Sequence, residues 1–131
     1  FKNRIDRHQK DRDERWENIE KEKFLSEINF ENRVAVIDCV TLWLTNFFVD
    51  NNNDIDLCLA QAKKEIDTLS QQPNTTIIIV SNEIGMGLHA DTHIGRKFTE
   101  LQGWTNQYIA QKADTVVFIV AGIPMVIKGE V

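Results

Sequence analysis

The sequence predicts one α/β domain built around a mostly parallel sheet, and its length of 131 residues suits a single domain. Three short runs rich in β-branched residues lie at 33–38, 75–81 and 115–121. Each run is apolar within and polar only at its ends, which is typical of strands covered on both faces in a parallel sheet. Segments with helical spacing separate the runs. We therefore expect strands joined by right-handed helical crossovers.

The chain opens with a charged segment, 1–24, which precedes the first strand. It holds eight of the 15 basic residues and seven of the 20 acidic ones. Its apolar residues are too sparse for a buried helix, so a solvated helix at 2–14 is expected. After the first strand, an apolar stretch at 42–49 predicts a short helix.

Two longer helices and a last strand complete the predicted domain. Apolar residues share one stripe over 54–69, and Asp54 is placed to cap that helix. Another helix is expected to begin at Asp91 or Thr92 and to end near Ala113. Residues 124–128 predict a final strand, antiparallel to its predecessor if the turn before it is tight.

The composition excludes several classes of protein. With 42% hydrophobic and 27% charged residues, the chain is not of the disordered type. Its apolar runs fall well short of the roughly 20 residues of a membrane helix, so no membrane span is expected. The formal net charge of −5 argues against nucleic acid as a partner. Two cysteines, Cys39 and Cys58, are too few for a disulfide scaffold, which favours a reducing, cytoplasmic location.

Asp38 is the first candidate for a functional residue, because it ends an apolar strand. Ligands of open α/β sheets bind at the carboxyl ends of the strands. P-loop nucleotide hydrolases and kinases hold a Mg²⁺-associated carboxylate at such a position. The alternative is that Asp38 only caps the following helix.

A polar cluster with two glycines follows the second strand, at 81–87. Its glycines would let the backbone approach a ligand closely or turn sharply. These residues therefore either contact substrate or form a structural turn. The residues in question are Asn82, Glu83, Gly85 and Gly87.

His8 lies among several cations, in the run 7–12. Positive neighbours disfavour protonation of an imidazole, keep it nucleophilic and attract phosphate. A surface histidine on a solvated helix is the alternative. The sequence contains neither a Walker A pattern nor a dinucleotide fingerprint after a strand, so it has no phosphate-binding loop of its own.

Four blocks of sequence, in order along the chain, resemble those of one family, the bifunctional adenosylcobinamide kinase/adenosylcobinamide-phosphate guanylyltransferases of cobalamin synthesis. The blocks are Arg4-Ile-x-x-His8-x-x-x-Arg12-x-x-x-Trp16 with Glu20; Val36-Ile-Asp-Cys-Val-Thr-Leu-Trp-Leu-Thr-Asn46; Ser81-Asn-Glu-Ile-Gly-Met-Gly87; and a tail of Arg96-x-Phe98, Gly103-x-x-Asn106-Gln107 and Val120-Ala-Gly-Ile-Pro124 with Lys128.

The resemblance implies a P-loop NTPase-like (RecA-like) three-layer sandwich in which one site runs two reactions. The first phosphorylates adenosylcobinamide from GTP or ATP. In the second, His8 attacks the α-phosphorus of GTP, and the GMP group then passes to adenosylcobinamide phosphate. The resemblance also places Asp38 beside Mg²⁺. Residues implied to contact the nucleotide are Gln9, Lys10, Asp11, Arg12, Glu20 and Asp38.

The family's first strand and Walker A loop have no counterpart in this sequence. We therefore expect residues 1–131 to be an N-terminally incomplete P-loop domain, inactive by itself, in which 1–24 is the guanylylation segment. The resemblance further implies a homotrimer. Two alternatives stay open: another P-loop small-molecule kinase without a covalent intermediate, and a non-catalytic remnant that assembles with a complete partner chain.

Overall fold

A computed structural model describes residues 16–84 and 90–130. An irregular segment leads into a 3₁₀ turn at Leu25–Glu27, and strands and helices then alternate as predicted for an α/β protein. The elements are β1 (Val34–Asp38), α1 (Val40–Asp50), α2 (Ile55–Ser70), β2 (Thr76–Val80), α3 (His93–Lys112), β3 (Val116–Val120) and β4 (Ile123–Lys128).

The two long helices begin at side-chain caps, as the sequence predicts. The Asp54 carboxylate accepts a hydrogen bond from the Leu57 amide at 3.2 Å at the start of α2. Thr92, rather than Asp91, caps α3, and its hydroxyl accepts from the Gly95 amide at 2.9 Å. Each cap satisfies an amide that has no partner within the helix.

The strands form two separate pairs. β1 and β2 are parallel, with Asp38 opposite Val80 at the last position. β3 and β4 form an antiparallel hairpin, whose tight turn has positive φ at Ala121 (51°) and Gly122 (76°), as two-residue hairpin turns require. Over the described residues these are two two-stranded sheets, so the single mostly parallel sheet expected from the sequence is not formed there.

The prediction that the strands are buried on both faces is wrong for the described part of the chain. In the β1–β2 pair, alternate residues on one face are exposed, and all of β4 is exposed. Helices cover the other face of β1–β2, where Ala35 is buried and Ile79 packs against the core. A run of apolar residues in sequence cannot show whether a second layer is present. The exposed apolar residues of β1–β2, here called the open face, are Val34, Val36, Ile78 and Val80.

The core lies among the three helices. Trp43 and Phe47 meet edge to face with ring centroids 5.2 Å apart, and Phe48 meets Phe98 of α3 in the same way at 5.4 Å. Such aromatic pairs add to the stabilisation from burial. No helix in 16–84 or 90–130 is long and apolar enough to cross a membrane. The buried cluster comprises Val40, Trp43, Leu44, Phe47, Phe48, Cys58, Ala62, Ile66 and Leu101.

Candidate functional site at the carboxyl end of the parallel strands

Asp38 stands at the carboxyl end of β1 and is exposed to solvent. Side chains alternate between the faces of a strand, so Asp38 shares the open face with Val36 and with its register partner Val80. Helix α1 begins two residues later, at Val40. The carboxylate is therefore placed where a ligand could reach it from the open face or from the edge of the sheet.

Ser81, Asn82 and Glu83 follow β2 directly and are also exposed. Because β1 and β2 are parallel and in register, this turn lies at the same edge of the sheet as Asp38. The Asn82 amide donates to the Thr41 hydroxyl at 2.9 Å, and Thr41 lies in the first turn of α1. The structure thus brings Asp38 and the turn at 81–83 to one edge, and the sequence singles out both of them.

Helix α3 supports this edge through a polar network that the sequence reasoning missed. Gln102 is fully buried, and its amide donates to Ser81 at 3.0 Å and to Asn106 at 3.1 Å. Its carbonyl oxygen accepts from the Thr41 hydroxyl at 2.8 Å. Buried polar side chains need partners. The signal available in the sequence was an amide on the apolar stripe of α3 beside Leu101.

Glu20 lies elsewhere in the described structure, on the exposed irregular segment that precedes the 3₁₀ turn. That segment is anchored along α1: the Trp43 indole donates to the Lys23 carbonyl at 2.7 Å, and Asn46 donates to the Glu22 carbonyl at 2.8 Å. No hydrogen bond or ion pair joins Glu20 to Asp38 among the described residues. The remaining predicted site residues lie outside the described ranges; they are His8, Gln9, Lys10, Asp11, Arg12, Gly85 and Gly87.

Asp38 and Glu83 are the carboxylates at this edge that could take part in holding a metal ion. In residues 16–84 and 90–130, no group of three or more His, Cys, Asp or Glu side chains could hold a metal ion. Mg²⁺ at nucleotide sites takes one or two protein carboxylates and completes its shell with phosphate oxygens and water. The exposed carboxylate of Asp38 fits that role.

Comparison with known proteins identifies the family. The family described as "Cobinamide kinase / cobinamide phosphate guanyltransferase" matches residues 1–127, nearly the whole chain. The chain belongs to this family. This match confirms the resemblance stated from the four sequence blocks.

Three curated relatives agree with this assignment. The bifunctional adenosylcobalamin biosynthesis protein CobP of Pseudomonas aeruginosa is 37% identical over 99 residues, which cover 75% of this chain and 55% of the relative. The bifunctional adenosylcobalamin biosynthesis protein CobU of Escherichia coli is 32% identical over 95% of this chain and 77% of the relative. The CobU protein of Salmonella typhimurium is 30% identical over 71% of this chain and 57% of the relative. The chain thus spans between about half and three quarters of the length of these relatives.

Proposed function

We propose that the full-length protein phosphorylates adenosylcobinamide and then transfers GMP from GTP to adenosylcobinamide phosphate. The observation that carries this proposal is the family match over residues 1–127. The position of Asp38 and the 81–83 turn at one edge of the parallel strands supports it, because nucleotides bind at that edge in open α/β folds.

In the first reaction, the hydroxyl oxygen of the aminopropanol arm of adenosylcobinamide attacks the γ-phosphorus of GTP or ATP. A new P–O bond forms, the bond from the γ-phosphorus to the β-phosphate oxygen breaks, the hydroxyl proton passes to water and the nucleoside diphosphate leaves. Catalysis of such a transfer rests on positioning and on electrostatic stabilisation of the phosphates. Asp38 would hold Mg²⁺, which neutralises phosphate charge when bound. We assign Asn82 and Glu83 to the substrate side of the same edge. Gly85 and Gly87, outside the described residues, are assigned by their sequence either to substrate contact or to a structural turn.

In the second reaction, an imidazole nitrogen of His8 attacks the α-phosphorus of GTP. A P–N bond forms, the P–O bond to pyrophosphate breaks, and pyrophosphate departs. A phosphate oxygen of adenosylcobinamide phosphate then attacks the same phosphorus, which releases His8 and yields adenosylcobinamide-GDP. A covalent intermediate divides one difficult transfer into two easier ones. Gln9, Lys10, Asp11, Arg12 and Glu20 are assigned to the nucleotide in this step, and residues 1–24 form the guanylylation segment.

The proposal extends to the assembly and its surroundings. Family resemblance supports a homotrimer and a P-loop domain that residues 1–131 share with a preceding strand and phosphate-binding loop. Cys39 and Cys58 are both free thiols, which suits a reducing, cytoplasmic location.

The test is the intact mass of the full-length protein after incubation with GTP and Mg²⁺. We expect a mass increase of one guanylyl group, removed by acid and retained in alkali, as a P–N bond requires. His8→Ala abolishes the increase. The matched control is His93→Ala, which removes the exposed histidine that begins α3, outside the proposed site, and keeps the adduct.

The outcomes separate the alternatives. A protein that phosphorylates adenosylcobinamide but takes up no guanylyl group is a kinase without a covalent intermediate, which contradicts the second half of the proposal. A full-length protein that neither binds GTP nor catalyses either reaction is the non-catalytic remnant. An adduct that survives in His8→Ala shows that another residue is the nucleophile.

A further inference from the structure

The side chain of Asn106 connects α3 to two successive residues of the turn that follows β2. Its carbonyl oxygen accepts a hydrogen bond from the Ser81 hydroxyl at 2.5 Å. Its amide nitrogen donates to the backbone carbonyl of Asn82 at 3.0 Å. One carboxamide thus uses both its donor and its acceptor on the stretch of chain immediately before Glu83.

We call the two hydrogen bonds from Asn106 to Ser81 and Asn82 the Asn106 clamp. A buried side chain of the same helix holds this clamp in place. The buried amide of Gln102 donates to the Asn106 oxygen at 3.1 Å and to the Ser81 hydroxyl at 3.0 Å. The two amides therefore have only one mutually satisfactory orientation, with the Asn106 nitrogen toward the Asn82 carbonyl. Asn106 is therefore held by Gln102 of its own helix as well as by the turn.

The network also reaches the first turn of α1. The side chain of Asn82 donates to Thr41 at 2.9 Å, and Thr41 donates to Gln102 at 2.8 Å. Thr41 lies three residues after Asp38. A chain of hydrogen bonds therefore runs from α3 through the 81–82 turn to the first turn of α1, around the edge where Asp38 stands. A closed network of this kind restricts every member to one conformation.

We propose that Asn106 is a positioning residue for the phosphoryl transfer: it holds the Ser81–Asn82 turn at a set place relative to Asp38. This inference rests on the proposed function. Asn106 itself touches the turn and not the reacting atoms. Because small displacements of groups around a reacting centre lower the rate steeply, loss of the clamp should act on the chemical step more than on nucleotide binding.

The variant that tests this is Asn106→Asp in the full-length protein. It keeps the size of the side chain and the oxygen that accepts from Ser81, and it replaces the donor to the Asn82 carbonyl with a second oxygen. Two acceptors then face each other, so the turn must move. We expect kcat for phosphorylation of adenosylcobinamide to fall by about 10-fold or more, while KM for the nucleotide changes by less than about 2-fold.

The matched control is Gln72→Glu, the same chemical change in a second carboxamide clamp. Gln72 accepts from the Phe30 amide at 2.6 Å and donates to the Ile28 carbonyl at 2.9 Å, at the amino end of the strands and away from the site. It should lower thermal stability like Asn106→Asp but leave kcat of the folded enzyme unchanged. Thr41→Val, which removes the hydroxyl that links the turn to α1, supplies a second test and should lower kcat as well.

Each outcome has a definite meaning. A selective fall in kcat in Asn106→Asp and Thr41→Val, absent from Gln72→Glu, supports the proposal. The proposal is wrong if Asn106→Asp and Gln72→Glu change kcat equally. It is also wrong if kcat is unchanged in both Asn106→Asp and Thr41→Val. If Asn106→Asp does not fold, Thr41→Val decides. A wild-type protein that phosphorylates nothing overturns the proposed function, and the inference falls with it. That result differs from an active wild type whose variants keep the wild-type kcat, which overturns the inference alone.

Discussion

The carboxylate of Glu65 accepts two hydrogen bonds from Ser26, one from the backbone amide at 3.1 Å and one from the hydroxyl at 2.6 Å. Glu65 lies on α2 and is only 6% exposed, which is unusual for a glutamate. The pair joins the 3₁₀ turn to the helical layer and so anchors the irregular segment that begins the described structure. Ser26 satisfies both carboxylate oxygens, which offsets the cost of burying the charge.

Glu65→Gln should therefore destabilise the protein by about 1 kcal/mol, because a neutral amide replaces two charge-assisted hydrogen bonds with weaker neutral ones: its oxygen accepts from the Ser26 amide and its nitrogen donates to the Ser26 hydroxyl. The free energy of unfolding in urea measures the effect. Glu100→Gln on the exposed surface of α3 is the control and should change it by less than about 0.5 kcal/mol. A Glu65→Gln protein as stable as the wild type would mean that the charge on Glu65 contributes nothing net to this contact.

Two leucines on α1 provide a matched test of the core. Leu44 is fully buried in the helical cluster, whereas Leu42 is 61% exposed. Leu44→Ala should cost about 2–5 kcal/mol, from lost burial and from the cavity left behind. Leu42→Ala removes the same atoms from the surface and should cost less than about 0.5 kcal/mol. Chemical denaturation of both variants checks the difference, and equal losses would contradict the burial pattern described for α1.

Stability should also depend on pH through Tyr108. Its hydroxyl donates to the Asp67 carboxylate, and this hydrogen bond, with a contribution from burial, raises the pKa of Tyr108 above its ordinary value of about 10. Because the folded-state pKa is the higher one, the stabilisation is present below about pH 10 and is lost as the pH rises through the raised pKa.

The measurement compares wild type with Tyr108→Phe between neutral and strongly alkaline pH. The wild type should be the more stable protein at neutral pH, and the difference should shrink above the ordinary tyrosine pKa. Tyr108 is the single tyrosine of this sequence, so the absorbance of tyrosinate reports its titration directly. A midpoint at or below the ordinary value would contradict the assigned hydrogen bond.

The two cysteines should differ in reactivity. Burial raises the pKa of the Cys58 thiol, which is fully buried in the helical core, whereas Cys39 is half-buried at the start of α1. Thiolates and not thiols react with alkylating agents, and the reagent must also reach the sulfur. Iodoacetamide should modify Cys39 in the native protein and spare Cys58 until urea unfolds it, as peptide mapping by mass spectrometry would show. Rapid native labelling of Cys58 would contradict the packing of α1 on α2.

The guanylylation reaction should slow in acid. A histidine attacks phosphorus only through a neutral nitrogen, so the rate of adduct formation should fall as the imidazole of His8 takes up a proton. Rapid-quench measurement of the adduct across the histidine titration range checks this, with GTP saturating at each pH. A rate that is flat across the range would argue against His8 as the attacking group.

Local patterns in the sequence predicted the elements and two of their boundaries well. Asp54 and Thr92 cap helices because a short polar side chain can reach an unpaired amide three residues on, and that geometry depends only on nearby chain. The start of α1 was placed two residues late, at Leu42. The structure begins it at Val40, whose β-branched side chain is more typical of a strand and is fully buried in this helix.

The two halves of the site differed in how far the sequence could predict them. The strand ends at Asp38 and at Ser81 were singled out because ligands of open α/β sheets bind at the carboxyl ends of the strands. The clamp from Asn106 and Gln102 was not predicted, since it joins residues 21 to 61 positions apart in the chain. Nothing in the local pattern of α3 specifies which turn the side chains of Gln102 and Asn106 will meet.

The amino-acid sequence alone determined the order of strands and helices, the helix caps and membership of the cobinamide kinase/guanyltransferase family, because these depend on periodicity and on short motifs. Tertiary structure decided that the helices cover a single face of β1–β2, which leaves Asp38 on an accessible face in the described residues. It also decided that α3 reaches the 81–82 turn. Both depend on how separate elements pack against one another, and packing is a property of the assembled chain that no single segment encodes.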